Sequence, residues 1–314
     1  VTDTAANDHA GDHSGNQPGN QDLGRVGVWT FALDQQPSTR ARELAAELEE
    51  LGYGALWIPD AVNRDPLVNS YLLLSGTRRL KVATGIANIY GRDPMAMAAG
   101  WKTVSEAYPG RFLLGLGVSH QPAVEGLRGH TYGPPLATMR AYLDAMDGAI
   151  FLAAPPTVAP ERCLAALGPK MLALSAERTR GAHPYFVPPE HTAIARAALG
   201  PDALLAPEQM VVLETDAARA REIARGAMRA YVPGLPNYTN NLRRLGFTDD
   251  DFAGELSDRL VDAVVAWGDV DALQARVRAH HDAGADHVAL QVLPFDDLDR
   301  LRAQWRELAA ALIT

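Results

Sequence analysis

The sequence predicts an α/β fold, a (β/α)₈ TIM barrel with insertions between strands four and five and between strands seven and eight. Three observations carry this expectation. From Arg25 onward, short β-rich runs alternate with amphipathic stretches, which implies parallel strands joined by crossover helices. Eight such runs can be counted, the number that closes a barrel. The chain has 314 residues, 47% of them hydrophobic, enough to bury one large core.

Each element follows from local pattern. Residues 1–22, VTDTAANDHAGDHSGNQPGNQD, have almost nothing to bury and are expected to form a disordered tail. They lack the apolar stretch of a signal peptide, and His9 and His13 have no close third ligand. A single barrel domain is expected over 23–314. RVGVWTF (25–31) is the first strand. Leu44, Leu48 and Leu51 then recur at helical spacing behind a cap at Ser38 or Thr39, and Gly52 ends that helix. ALWIP (55–59) and LKVATGIA (80–87) are the second and third strands. Asp93-Pro94 opens the next helix, a capping residue followed by proline at the first helical position. RFLLGLGV (111–118) is the fourth strand.

A helix near 139–152 and the Pro-rich APPTVAP lead to a fifth strand at 162–167 and a helix at 169–179. The sixth strand is placed near 184–187 and the seventh at 209–214, with a further helix around 257–267. HVALQVL (287–293) is the eighth, behind a helix capped by Asp269 and closed by Gly284. About 40 residues separate strands four and five, and about 70 separate strands seven and eight. Such insertions either cover an active site at the C-terminal strand ends or pack outside the barrel.

Composition excludes several functions. A formal net charge of −9 argues against a nucleic-acid groove or an anionic membrane surface. No apolar run approaches the roughly 20 residues that span a bilayer. The one cysteine, Cys163, cannot form an intrachain disulfide, and a reducing, cytoplasmic setting is expected. There is no HExxH, no paired CxxC and no G-x-S-x-G, so zinc-protease, zinc-ribbon and α/β-hydrolase chemistry find no support and no metal site is expected.

Four segments, in barrel order, resemble one family. VATGIANIYGRDP (82–94) and RFLLGLGVSHQP (111–122) look like the third and fourth strands of the luciferase-like oxidoreductase superfamily. ALGPKMLALSAERTRGAHPYFVPPEH (166–191) and GDVDALQARVRAHHDAGADHVALQVLP (268–294) resemble actinobacterial members that use the deazaflavin coenzyme F420. The resemblance covers Leu23 to Thr314. It implies a cis peptide at Gly85–Ile86 beside the cofactor ring, with Asn88 among the cofactor contacts.

The family also places a carboxylate at the end of strand two, followed by a histidine at the reacting centre. This chain has Asp60 and then Ala61, so that histidine's role does not carry over. Asp60 is expected to act in catalysis or bond the cofactor, or else to cap its loop. His120 stands where deazaflavin sugar dehydrogenases have an acidic catalytic residue. An imidazole there can bind the cofactor and donate a proton; the alternative is a loop histidine bonding a carbonyl. Gly168-Pro169-Lys170 opens a helix whose free N–H groups attract phosphate, and the family uses this turn for the cofactor's phosphate tail. Trp29, Trp57 and Tyr90 wall the ring site or belong to the core. The expected function is F420-dependent hydride transfer to or from a small organic substrate, by a homodimer. The alternatives are an FMN-dependent monooxygenase and a non-catalytic flavin-binding protein.

Overall fold

A computed structural model of the chain describes residues 22–313. The expectation of a disordered tail lies outside the described residues. Among them, eleven strands form one sheet in which every pair is parallel. They are β1 (Val26–Trp29), β2 (Ala55–Ile58), β3 (Lys81–Thr84), β4 (Ala87–Asn88), β5 (Phe112–Gly117) and β6 (Glu161–Leu164). They continue with β7 (Gly181–Ala182), β8 (Leu204–Leu205), β9 (Glu208–Leu213), β10 (Val265–Gly268) and β11 (Val288–Val292).

The sheet runs in the order β10-β9-β11-β1-β2-β3-β5-β6-β7-β8. Only Ala206 and Pro207 separate β8 from β9, so the path returns to its own start and the barrel closes. This segment bonds both neighbours: Ala206 N–H donates to Ala182 O (3.0 Å) and Glu208 N–H to Pro184 O (2.9 Å), while Ala289 N–H donates to Pro207 O (2.9 Å). Eight staves result, two of them interrupted (β3/β4 and β8/β9), with β10 added beside β9.

The helices are α1 (Ser38–Glu50), α2 (Pro66–Leu74), α3 (Pro94–Ala107), α4 (Pro135–Asp147), α5 (Pro169–Arg178), α6 (Pro189–Leu199) and α7 (Ala217–Met228). After them come α8 (Pro236–Arg244), α9 (Asp249–Phe252), α10 (Asp258–Val264), α11 (Val270–Asp282) and α12 (Leu298–Leu312). Proline opens α2 to α6 and α8, where its missing N–H costs nothing. Asp93 caps α3 as expected, accepting from the N–H groups of Met95 and Ala96, and Asp269 caps α11.

Alternation along the strands divides the core in two. In β2, Leu56 and Ile58 pack outward against the helices, while Ala55 and Trp57 point into the barrel. In β5, Gly115 leaves room for Thr84 O, which would stand 2.0 Å from an added Cβ. The interior is also polar. Trp57 stacks on His183 (4.1 Å, 10°), and its Nε1–H donates to His287 Nε2 at 3.0 Å.

Three elements differ from expectation, and a fourth, the third strand, agrees with it. The sixth strand is Gly181–Ala182, not 184–187. Pro184 and Pro188 cannot donate to a ladder, and Phe186 adopts a left-handed φ of 61°, its N–H bonded to the Glu208 carboxylate instead. The helix expected to reach residue 267 stops at Val264, because the β-branched and aromatic run Val265–Gly268 pairs with β9. The helix expected at 139–152 begins at Pro135 and ends before Gly148. The third strand breaks at Gly85–Ile86, where the peptide bond is cis as the family resemblance implied.

Candidate active site

A cavity of about 800 Å³ opens at the C-terminal ends of the strands, the position of active sites in parallel barrels. Asp60, Gly85, Ile86, Asn88, His120 and Gly168 all line it. Pro169 and Lys170 do not; both are exposed on the first turn of α5. Of the three aromatic residues singled out, only Trp29 faces the cavity. Trp57 is fully buried beneath it, and Tyr90 stacks on Tyr132.

One wall is backbone. Gly85 presents its cis peptide, and Trp29 Nε1–H donates to its carbonyl at 3.1 Å. A Cβ at Gly85 would stand 2.5 Å from Trp29 Nε1 and 3.0 Å from His183 Nε2, so only glycine fits. His183 Nδ1 lies 2.6 Å from Ala206 O, which fixes the proton on Nδ1 and leaves Nε2 a buried acceptor without a partner. Burial pushes its pKa down to about 4, so the ring is neutral.

At one end of the cavity the loops after β2, β4 and β5 meet. Asp60 accepts from Asn88 N–H at 3.0 Å and pairs with Arg128 at 3.4 Å and, more distantly, Arg92 at 3.9 Å. Burial raises its pKa; the Asn88 N–H and the two guanidiniums oppose that. Arg128 also donates to Ala61 O at 3.1 Å. It follows a six-residue π-helix, Pro122–Leu127, within the long β5–β6 connection. Asp60 therefore ties three loops together, and its carboxylate is engaged by its neighbours.

The opposite end is aromatic. Tyr185, Tyr231 and Tyr238 line it, the last two from the long β9–β10 connection. Tyr185 and Tyr231 hydroxyls are 2.7 Å apart, and Tyr185 donates to Gln291 Oε1 at 2.8 Å. Burial holds all three phenols protonated; Tyr231 is pushed up to about 12. Beneath them Glu208 is fully buried, one oxygen accepting from Phe186 N–H and the other without a partner; burial raises it to about 8.

His120 stands between the two ends. Its Nδ1 faces Asn237 Oδ1 at 3.0 Å and its ring lies 5.3 Å from Tyr238. With the amide oxygen opposite, Nδ1 carries the proton and Nε2 is the free acceptor. Burial lowers the pKa, against the Asn237 hydrogen bond. The imidazole is thus a neutral base through the usual histidine range and an acid only below it.

Residue patterns did not single out His183, Asn237, the tyrosines or the arginines of the cavity. The run GLPNYTNN, with Asn237 and Tyr238, lay inside an expected insertion, and that was the one available signal.

Fold and cavity together define a parallel-barrel protein with its site at the strand C-termini. The chain matches the model of the luciferase-like monooxygenase family over residues 14–287 and belongs to that family. A Mycobacterium tuberculosis protein provisionally named a coenzyme F420-dependent oxidoreductase is 26% identical over 340 residues, covering 88% of this chain and 96% of the relative. The coenzyme F420 dependent tetrahydromethanopterin reductase from Methanopyrus kandleri superposes with a TM-score of 0.74 at 17% identity, over 92% of this chain and 98% of its own. The oxygenating constituent of 3,6-diketocamphane monooxygenase from Pseudomonas putida, in complex with FMN, gives 0.68 at 14% identity, over 92% and 97%. These two likenesses show the shared fold. Among the described residues no helix is long and apolar enough to cross a membrane.

Proposed function

We propose that this chain is an F420-dependent oxidoreductase that moves a hydride between the deazaflavin and a small organic substrate, acting as a homodimer. The observation that carries the reading is the Gly85–Ile86 wall. A glycine packed against Trp29 and His183 lets bare backbone form one side of an 800 Å³ cavity, where a flat ring can lie close. The residues present fit such a cofactor. Gly85, Ile86 and Asn88 would hold the ring, the His183 acceptor lies buried behind it, and Gly168 opens the helix start where free N–H groups suit a phosphate.

When bound, the deazaflavin supplies or accepts the hydride. The chain's own part is to exclude water, orient the substrate and handle the proton. His120 Nε2 takes a proton from an alcohol substrate when the ring is neutral, and gives one to a carbonyl when the ring is protonated. Asn237 holds the tautomer that makes this assignment. Asp60 acts as a positioning residue that fixes the loops around the ring.

The M. tuberculosis relative's name supports the deazaflavin. The family's description and the FMN-bound neighbour favour a second reading, an FMN-dependent monooxygenase. Parallel absorbance titration of the purified protein separates the two. Deazaflavin is expected to bind at least about tenfold tighter than FMN, roughly 1.4 kcal/mol. Equal affinities or the reverse order overturn the proposal in favour of the monooxygenase.

A further inference from the structure

The lining of the cavity divides by charge. Asp60, Arg64, Asp65, Arg92 and Arg128 all come from the loops after β2, β4 and β5. Beyond β6, no aspartate, glutamate, lysine or arginine among the described residues lines it. The segment after β7 and the β9–β10 connection supply His183, Tyr185, Tyr231, Leu235, Asn237 and Tyr238 instead. His183 is neutral, and Glu208 beneath the tyrosines is held neutral by burial and does not reach the cavity.

The three tyrosines form a fixed corner. The Tyr231 and Tyr238 rings are 5.5 Å apart at 90°, and Tyr185 lies 5.5 Å from Tyr231 at 53°. Tyr231 and Tyr238 also pack on the buried Phe186, at 5.1 and 5.3 Å. Tilted rings at these separations are the favoured arrangement of aromatic pairs, and with two torsions each they lose little freedom on meeting a ligand. The Tyr185 and Tyr231 hydroxyls bond each other, and Tyr185 donates on to Gln291. Those hydroxyls are taken up within the protein, so the corner offers a ligand mainly ring surface.

This corner stands between the two chemical parts of the site. On one side Tyr185 lies 5.1 Å from Trp29, whose indole N–H holds the Gly85 carbonyl of the backbone wall. On the other, the Tyr238 ring is 5.3 Å from the His120 imidazole. A carbon that exchanges hydride with a ring on the Gly85 wall, while its oxygen reaches His120, carries its substituent at the tyrosines.

We propose that Tyr185, Tyr231 and Tyr238 form the subsite for the substrate's substituent, and that they select an uncharged aromatic ring attached to the reacting carbon. The substrates are then aryl alcohols and aryl ketones, an assignment that rests on the hydride-transfer function proposed above. An aromatic ring gains burial and edge-to-face contacts at this corner. A carboxylate there would lose its hydration and meet no cation.

Isothermal titration of the deazaflavin-loaded protein with acetophenone, cyclohexyl methyl ketone, acetone and 4-acetylbenzoate tests this. Acetophenone is expected to bind tightest, at least about tenfold tighter than the charged 4-acetylbenzoate. Tyr231→Leu and Tyr238→Leu should each weaken acetophenone by about three- to tenfold and leave acetone unchanged. Tyr231→Phe keeps the ring and should keep the affinity. Circular dichroism shows whether each variant retains the wild-type fold. Folded leucine variants that both bind acetophenone as tightly as wild type overturn the subsite. So does 4-acetylbenzoate or cyclohexyl methyl ketone binding as well as acetophenone. Should the leucine variants weaken the deazaflavin and leave acetophenone untouched, the corner holds the cofactor and the substrate assignment falls. Should the protein take up FMN and no deazaflavin, the same ketones are titrated into the FMN-loaded protein. A tyrosine-dependent preference for acetophenone then upholds the subsite while the cofactor reading fails.

Discussion

At the end of the cavity beneath the loops after β2, β4 and β5, shape is held by ion pairs between partly exposed side chains: Asp60 with Arg128, and Asp65 with Arg92. At the other end, beneath β7 and β9, it is held by tyrosine rings and by titratable groups kept neutral through burial. His183 sits at about 4 and Glu208 at about 8, both of them fully enclosed. The first arrangement keeps charged side chains at the cavity wall, paired with one another. The second removes charge and makes that half of the barrel sensitive to pH. His120 joins the two, since it follows β5 and takes its orientation from Asn237 of the aromatic side.

The largest expected effect is on that junction. His120→Ala should lower turnover on the order of 10²–10⁴-fold while leaving cofactor affinity nearly intact. Its pH profile sharpens the point. Because burial lowers the His120 pKa, carbonyl reduction should fall as pH rises through a value below 6.5, and alcohol oxidation should rise over the same window. Turnover unchanged in the variant would return His120 to the role of a loop residue.

Next in size is the pH sensitivity carried by the histidines and the glutamate that burial keeps neutral. His183, His287 and His280, the last at about 3, stay neutral in the fold but gain protons in the unfolded chain below pH 6.5. Glu208 does the opposite, keeping in the fold a proton that the unfolded chain loses above pH 4.5. Between pH 4.5 and 6.5 unfolding takes up more protons through these histidines than it releases from Glu208, so stability should fall as pH drops. From 6.5 to 8 only Glu208 acts, and stability should fall by about 1.4 kcal/mol per unit as pH rises. Urea denaturation at pH 5, 6.5 and 8.5 reads both limbs. Glu208→Gln should abolish the alkaline limb and, by removing the opposing proton release, steepen the acid one. A flat profile from 5 to 6.5 would mean that these histidines are not held neutral.

Gly85→Ala tests the wall shared by both ends. The added methyl collides with Trp29 and His183, neither of which can withdraw from the barrel interior. A loss of about 1–3 kcal/mol in stability is expected, with weakened deazaflavin binding in the same titration that compares it with FMN. The smallest effect belongs to Lys170→Ala. That side chain is exposed outside the cavity, and cofactor binding should change by less than about 0.5 kcal/mol. A larger loss by equilibrium dialysis would bring Lys170 into the phosphate site.

Legibility followed the same division. Asp60, Gly85, Asn88, His120 and Gly168 sit at or just beyond strand ends, in segments whose pattern places them there, and all six expected positions from Asp60 to Gly168 that reach the cavity include Ile86 beside them. The sixth strand was misplaced because Tyr185, Phe186 and Val187 have strand-like side chains, whereas the strand itself is two residues, Gly181–Ala182. Its short ladder is supplemented by the Phe186–Glu208 hydrogen bond, which no local pattern encodes.

By itself the sequence determined the alternation of strands and helices, the proline-led helix starts, and the capping by Asp93 and Asp269. These depend on residues within a few positions of one another, where backbone geometry and side-chain period act. The tertiary structure alone decided which histidines are neutral and which tyrosines hydrogen-bond to each other. Those properties come from contacts between distant parts of the chain. Trp57 and His287 are 230 positions apart, His120 and Asn237 are 117 apart, and Tyr185 and Gln291 are 106 apart. Burial and hydrogen-bond partners set the charge state of each group, and both exist only once the barrel has closed.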